Sequence, residues 1–189
     1  MIPRMLRQFT KLEAAKIAVL ADLQQWPEGS LGQHPESGGW SALEVIEHVM
    51  LTERSILGAM RKNIVSPRHI QMKDWLRNGM VMCVMLLPAR VKIPAGARQV
   101  TPTGQTADFI NMTIGWDAVR RDLAEFLESV RESNLSGGVV RHPAGGWTTI
   151  EGALWFVRAH LRHHRYQLSR IRARFRAKKR GRRSADTAN

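Results

Sequence analysis

Four of the seven histidines in this chain of 189 residues crowd into its last third, at positions 142, 160, 163 and 164. His160 and His164 are four apart. On a helix that spacing projects both imidazoles from one face about one turn from each other, close enough for two ring nitrogens to hold one divalent cation. A catalytic site of this type takes three protein ligands and leaves a coordination position open, so a third must come from another element. His48, which follows Trp40-Ser41-Ala42-Leu43-Glu44 by one helical turn, is the candidate. A lone histidine on a helix is more often a satisfied structural residue, and only its combination with the distant pair points to a ligand.

The remaining candidates surround that trio. Gln167 follows His164 by three and is placed to hold a ring nitrogen or a water behind the ligands. His163 is rotated about 100° from His164, which puts it at the rim rather than among the ligands. His142 precedes Pro143 in a loop, where it either orients the mouth of the site or caps the turn. His34 and His69 also fall in loops and read as exposed. Cys83 stands in the apolar run 80–87 and reads as a small buried residue rather than a nucleophile.

Helices must position these side chains, and their starts are visible. Ser41 with Glu44, and Thr148 with Glu151, have the Ser/Thr-x-x-Glu spacing that satisfies orphan amides at a helix N-terminus. Apolar residues at three- and four-residue intervals extend a first helix over 3–25, with one lapse at Lys16, and a second over 41–62. A third spans 106–131. The fourth starts at Thr148 and buries Ile150, Ala153, Leu154, Val157, Leu161, His164, Leu168 and Ile171. Some forty residues separate the second and third helices, too many for a tight hairpin. They must cross the bundle, which lets those two helices run parallel. Residues 72–87 have room for one or two short helices, while Pro88, Pro94, Gly96 and Pro102 impose an extended passage around 91–100. The expected fold is therefore all-α, a four-helix bundle with a long crossover between helices 2 and 3.

Composition narrows the function classes. The length suits one domain, expected over 1–176, followed by a basic tail over 177–189 too polar to bury a core and so expected to be disordered. Of the 29 Lys and Arg, twelve lie within 158–183 with no Asp or Glu among them, which leaves 17 basic against 16 acidic residues elsewhere. The net charge of +13 thus belongs to one helix end and its tail. No helix-turn-helix or aromatic-interleaved basic motif accompanies it, which argues against a nucleic-acid reader. A single cysteine permits no internal disulfide and fits a reducing, cytoplasmic setting. The longest apolar run is about half of the roughly 20 residues that a membrane span requires.

The Trp40-Ser41-x-x-Glu44-x-x-x-His48 stretch, His142-Pro143, and His160-x-x-x-His164-x-x-Gln167 together resemble the DinB superfamily, with the Lys92-Ile93-Pro94-Ala95 segment fitting the same order over about residues 5–170. That resemblance implies a four-helix bundle holding Zn²⁺, Ni²⁺ or Fe²⁺ through His48, His160 and His164. It also implies a homodimer, and a small-molecule substrate handled by a transferase or isomerase that uses a low-molecular-weight thiol. The alternative is a bundle that binds a small molecule without turnover, its metal structural or adventitious.

Overall fold

Ser41 Oγ accepts the amide of Glu44 at 3.2 Å and the Glu44 carboxylate accepts the amide of Ser41 at 2.8 Å, so the expected capping box forms and starts the second helix. In the computed structural model, residues 1–27, 29–36, 38–87, 99–104 and 108–186 are described, with side chains through 175. The chain runs α1 (Pro3–Gln24), α2 (Ala42–Asn63), α3 (Met72–Leu86), α4 (Phe109–Ser129), β1 (Val140–His142), β2 (Gly146–Thr148) and α5 (Ile150–Asp186). Thr106, where the third main helix was expected to start, and Lys92–Ala95 lie outside the described residues. Asp108 caps α4 instead, accepting the Asn111 amide at 2.8 Å.

Four helices make the bundle and the fifth lies in the crossover. Glu53 on α2 meets Trp116 and Arg120 on α4, and further along Arg61 reaches the Asp122 carbonyl, so α2 and α4 run parallel. Lys16 and Glu13 on α1 face Asp117 and Arg120 on α4 in reversed order, so that pair is antiparallel. The long crossover permits this up-down-down-up arrangement, because each of the parallel partners can be entered from the same end. One cluster of apolar residues, including Met5, Leu12, Met60, Leu127, Ile150 and Leu154, fills one end of the bundle. A second, with Val19, Val45, Trp116, Leu161 and Ile171, fills the other. The lapse at Lys16 is a buried lysine with two carboxylate partners, Glu13 at 2.9 Å and Asp117 at 2.7 Å.

Two local expectations are corrected. The α5 cap is Thr149, whose Oγ1 accepts the Gly152 amide at 3.1 Å, rather than the Thr148 and Glu151 pair. Thr148 is drawn into β2, where it pairs with Val140. Cys83 is exposed, as are Met80, Val84 and Leu87, because α3 fully buries only Asp74 and Met85 and leaves much of its apolar run outside. The backbone of α5 is helical through Asp186. Ala, Arg and Lys are strong helix formers, and cations are favoured at a helix C-terminus.

Candidate metal centre

Each ring of the trio is aimed by a different part of the fold. The α2 stripe buries Val45, Ile46 and Val49 around His48, which is 4% exposed. Its Nδ1 donates to the Val100 carbonyl at 2.7 Å, and the Trp40 ring lies 5.0 Å away, centre to centre. His160 and His164 fall on the buried stripe of α5, as their spacing predicts. Phe156 stacks on His160 at 5.5 Å, and His164 Nδ1 donates to Gln167 Oε1 at 2.8 Å. The three Nε2 atoms then converge: His160 Nε2 stands 3.2 Å from that of His48 and 3.1 Å from that of His164.

The chemistry of this donor set fits a cation. A neutral imidazole carries one N–H. With Nδ1 donating in both His48 and His164, their Nε2 atoms present lone pairs to the centre, and His160 Nε2 can donate to only one of them. The other contact then sets an inward lone pair against a nitrogen with no hydrogen left to offer it, inside a buried pocket, which costs free energy unless a positive charge lies between. Two nitrogens held tetrahedrally at about 2.0–2.1 Å from one ion stand roughly 3.3 Å apart. The observed separations are already near that value. Three neutral imidazoles suit Zn²⁺, Ni²⁺ and Fe²⁺ alike.

Burial pushes all three rings toward the neutral form that binds metal. It takes His164 down to about 3 and His160 well below the ordinary histidine value, each helped by the charge of its neighbours, and it lowers His48 against the opposing Val100 hydrogen bond. Unfolded, these rings accept protons near pH 6.5; folded, they do so only at lower pH. Between those limits the unfolded chain binds more protons, so stability rises with pH there. Metal-free protein is therefore expected to melt at a constant temperature above about pH 7 and progressively lower from pH 6.5 to 5. A His164→Asn variant should show a shallower decline, and a flat profile for the parent chain would contradict the assignment.

The remaining histidines divide. His142 Nδ1 accepts the amides of Ala144 and Gly145 at 3.2 and 3.0 Å, so it caps the β1–β2 turn while its ring lies 5.0 Å from Phe156, one ring removed from His160. His163 is buried rather than at the rim; its Nδ1 donates to the Leu87 carbonyl at 3.3 Å and ties the end of α3 to α5. It is not in the cluster that could hold an ion, which among the described residues is His48, His160 and His164. His34 and His69 are exposed, as expected. Spacing could not reveal the Val100 carbonyl, which reaches His48 from 52 positions away, or the Phe156 stack, because phenylalanine on a buried stripe reads as ordinary core.

The profile of the DinB superfamily matches residues 11–168 of this chain. Among solved structures, the chain is similar to one described as "YfiT from Bacillus subtilis is a probable metal-dependent hydrolase with an unusual four-helix bundle topology". The two share 16% identity at a TM-score of 0.57, over 93% of this chain and 89% of that one, which speaks for a common fold. No curated protein matches.

Proposed function

The chain belongs to the DinB superfamily, and from that premise we propose that it is a metal-dependent enzyme whose His48, His160 and His164 hold one Zn²⁺, Ni²⁺ or Fe²⁺ ion beside a small-molecule substrate. The observation that carries the reading is the convergence of three buried Nε2 atoms, two with their lone pairs turned inward. When bound, such an ion supplies Lewis acidity and a nucleophile at neutral pH. The protein's own part is positional. Val100 and Gln167 fix the tautomers of His48 and His164, Phe156 holds the plane of His160, and the Trp40 ring packs beside His48.

Glu151 is the carboxylate among the described residues lining the cleft at this site, and nine residues of helix, about 14 Å, separate it from His160. Among the described residues lining the cleft, no carboxylate is therefore placed beside the three histidines to carry a proton. Hydrolysis is favoured by the description of the YfiT neighbour. Transfer or isomerisation with a small thiol is the second reading, from the family resemblance, and dependence of turnover on added thiol separates the two. A homodimer belongs to the same proposal, supported by Met72, Trp75, Leu76 and Met80 exposed along one side of α3. Among the described residues no helix is long and apolar enough to cross a membrane.

Elemental analysis of protein purified without a polyhistidine tag tests the proposal. We expect about one equivalent of a first-row divalent metal per chain, removed by chelation and restored by reloading. Protein that neither retains nor takes up metal, and that is equally stable with and without added ions, would leave only a binding bundle.

A further inference from the structure

The Val100 carbonyl that receives His48 Nδ1 can aim that ring only if it is itself held still. Val100 lies where the crossover returns to the bundle, and residues 101–104 beyond it belong to neither helix nor strand, so no backbone ladder fixes them. A side chain holds them instead. Thr103 donates its amide at 3.2 Å and its hydroxyl at 2.9 Å to one oxygen of Glu47, Oε1. Glu47 directly precedes His48 on α2, so consecutive residues of one rigid helix grip the same short segment at two points three residues apart. Three residues of chain span at most about 10 Å. Fixing Thr103 therefore confines the carbonyl of Val100, and with it the ring of His48.

Glu47 is a costly choice for a position that serves packing alone. It is 8% exposed, in the same buried stretch as Val45, Ile46 and Val49, and its second oxygen, Oε2, is buried without a hydrogen-bond partner among the described residues. An apolar side chain there would carry no such desolvation cost. What the carboxylate adds is an acceptor for two donors at once, through bonds about twice as strong as those to a neutral group. Glu47 neither lines the cleft nor belongs to the cluster that could hold an ion, so any action on the centre passes through another group. We propose that Glu47 is a positioning residue: by holding Thr103 it fixes the Val100 carbonyl, which keeps the hydrogen of His48 on Nδ1 and its Nε2 lone pair toward His160 and His164. A neutral imidazole carries one N–H, so a ring without its carbonyl partner can place that hydrogen on Nε2, and a protonated Nε2 does not bind metal. The effect on metal rests on the metal-centre reading; the effect on the tautomer of His48 does not.

Variants of the full-length chain test this through two readouts. Competition against a chelator measures Zn²⁺ affinity, and long-range nitrogen–proton NMR correlations in metal-free protein near neutral pH report which ring nitrogen of His48 carries the hydrogen. Glu47→Leu keeps an apolar filling and removes the acceptor. It should lower Zn²⁺ affinity about tenfold or more, the usual cost of losing a group behind a ligand, and turn His48 from the Nδ1–H form into a mixture. Its metal-free denaturant midpoint should be no lower than the parent's, which separates positioning from support of the fold. Glu47→Gln keeps Oε1 as an acceptor and should retain the parent tautomer, with affinity within about threefold because only the charge assistance is lost. Thr103→Val removes one of the two bonds at an exposed residue, so it reads the proposal even if Glu47→Leu folds poorly. It should give a smaller loss in the parent and no further loss in the Glu47→Leu background. Unchanged affinity in Glu47→Leu, an equal loss in Glu47→Gln, or a His48 tautomer that is the same in every variant would overturn the proposal. A parent chain that takes up no metal leaves the tautomer to decide, while a parent that loads Zn²⁺ no better than its Glu47→Leu variant sinks this inference alone.

Discussion

His160→Ala is expected to reduce affinity for the divalent ion by more than about 100-fold, and by more than the same change at His48. Substitution behind a ligand commonly costs about 10–100-fold, and this change removes a ligand. His160 Nε2 is the atom that both other rings approach, at 3.2 and 3.1 Å. It also shares one rigid turn of α5 with His164, so its loss breaks a pair whose relative geometry the helix backbone sets beforehand. Loss of His48 leaves that pair standing, and weak binding by two imidazoles should remain. His164→Ala should behave like His160→Ala. His69→Ala, at an exposed loop residue, should leave metal content unchanged. His163→Ala should stay within a few-fold of the parent, because its ring nitrogen serves the Leu87 carbonyl and not the common centre. Competition titration against a chelator of known affinity measures all five. A ranking in which His163 matters as much as His160, or in which His48→Ala is the most damaging, would be incompatible with the site.

Much of this centre could be read in advance because helical periodicity converts spacing into direction. A spacing of four from His160 to His164, on a stripe with Val157, Leu161 and Leu168, leaves little choice about where those rings point, and the Ser41–Glu44 box sets the phase of α2 and with it His48. The relative placement of the helices was legible too, since a crossover of that length frees α2 and α4 to run side by side in the same direction. What escaped has a common cause, competition between local signals and distant partners. Thr148 has a good capping pattern, yet the strand pairing with Val140 takes its backbone and the cap moves to Thr149. The angular position of His163 suggests a rim, but α3 folds over that side of α5 and buries it. Cys83 sits in an apolar run whose exposed side has no partner within the described chain, a fact that composition alone does not carry.

Arg120→Met is expected to destabilise the metal-free fold by about 3–5 kcal/mol, the usual cost of leaving a buried charge without its partner. Glu53 is 3% exposed and Arg120 2%. The Glu53 carboxylate accepts Arg120 Nε at 2.8 Å and Nη2 at 2.7 Å, and Trp116 Nε1 adds a third bond at 3.0 Å. Burial pushes the Glu53 carboxyl up, and the guanidinium opposes that shift. With methionine at 120 the carboxylate keeps only the indole donor, so Glu53 must either protonate or draw water into the core. The double change Glu53→Leu with Arg120→Met should recover most of the loss, because an apolar pair of similar volume carries no desolvation cost; the indole N–H of Trp116, left without its acceptor, should keep the recovery incomplete by about 1–3 kcal/mol. Denaturant unfolding of the single and double variants measures both quantities. The same network holds α2 against α4 a little over one turn beyond His48, so the single variant should also bind metal less tightly while the double variant regains much of that affinity. If Arg120→Met cost less than about 1 kcal/mol, or if the double variant were no more stable than the single one, the network would not be what holds α2, and therefore His48, in place.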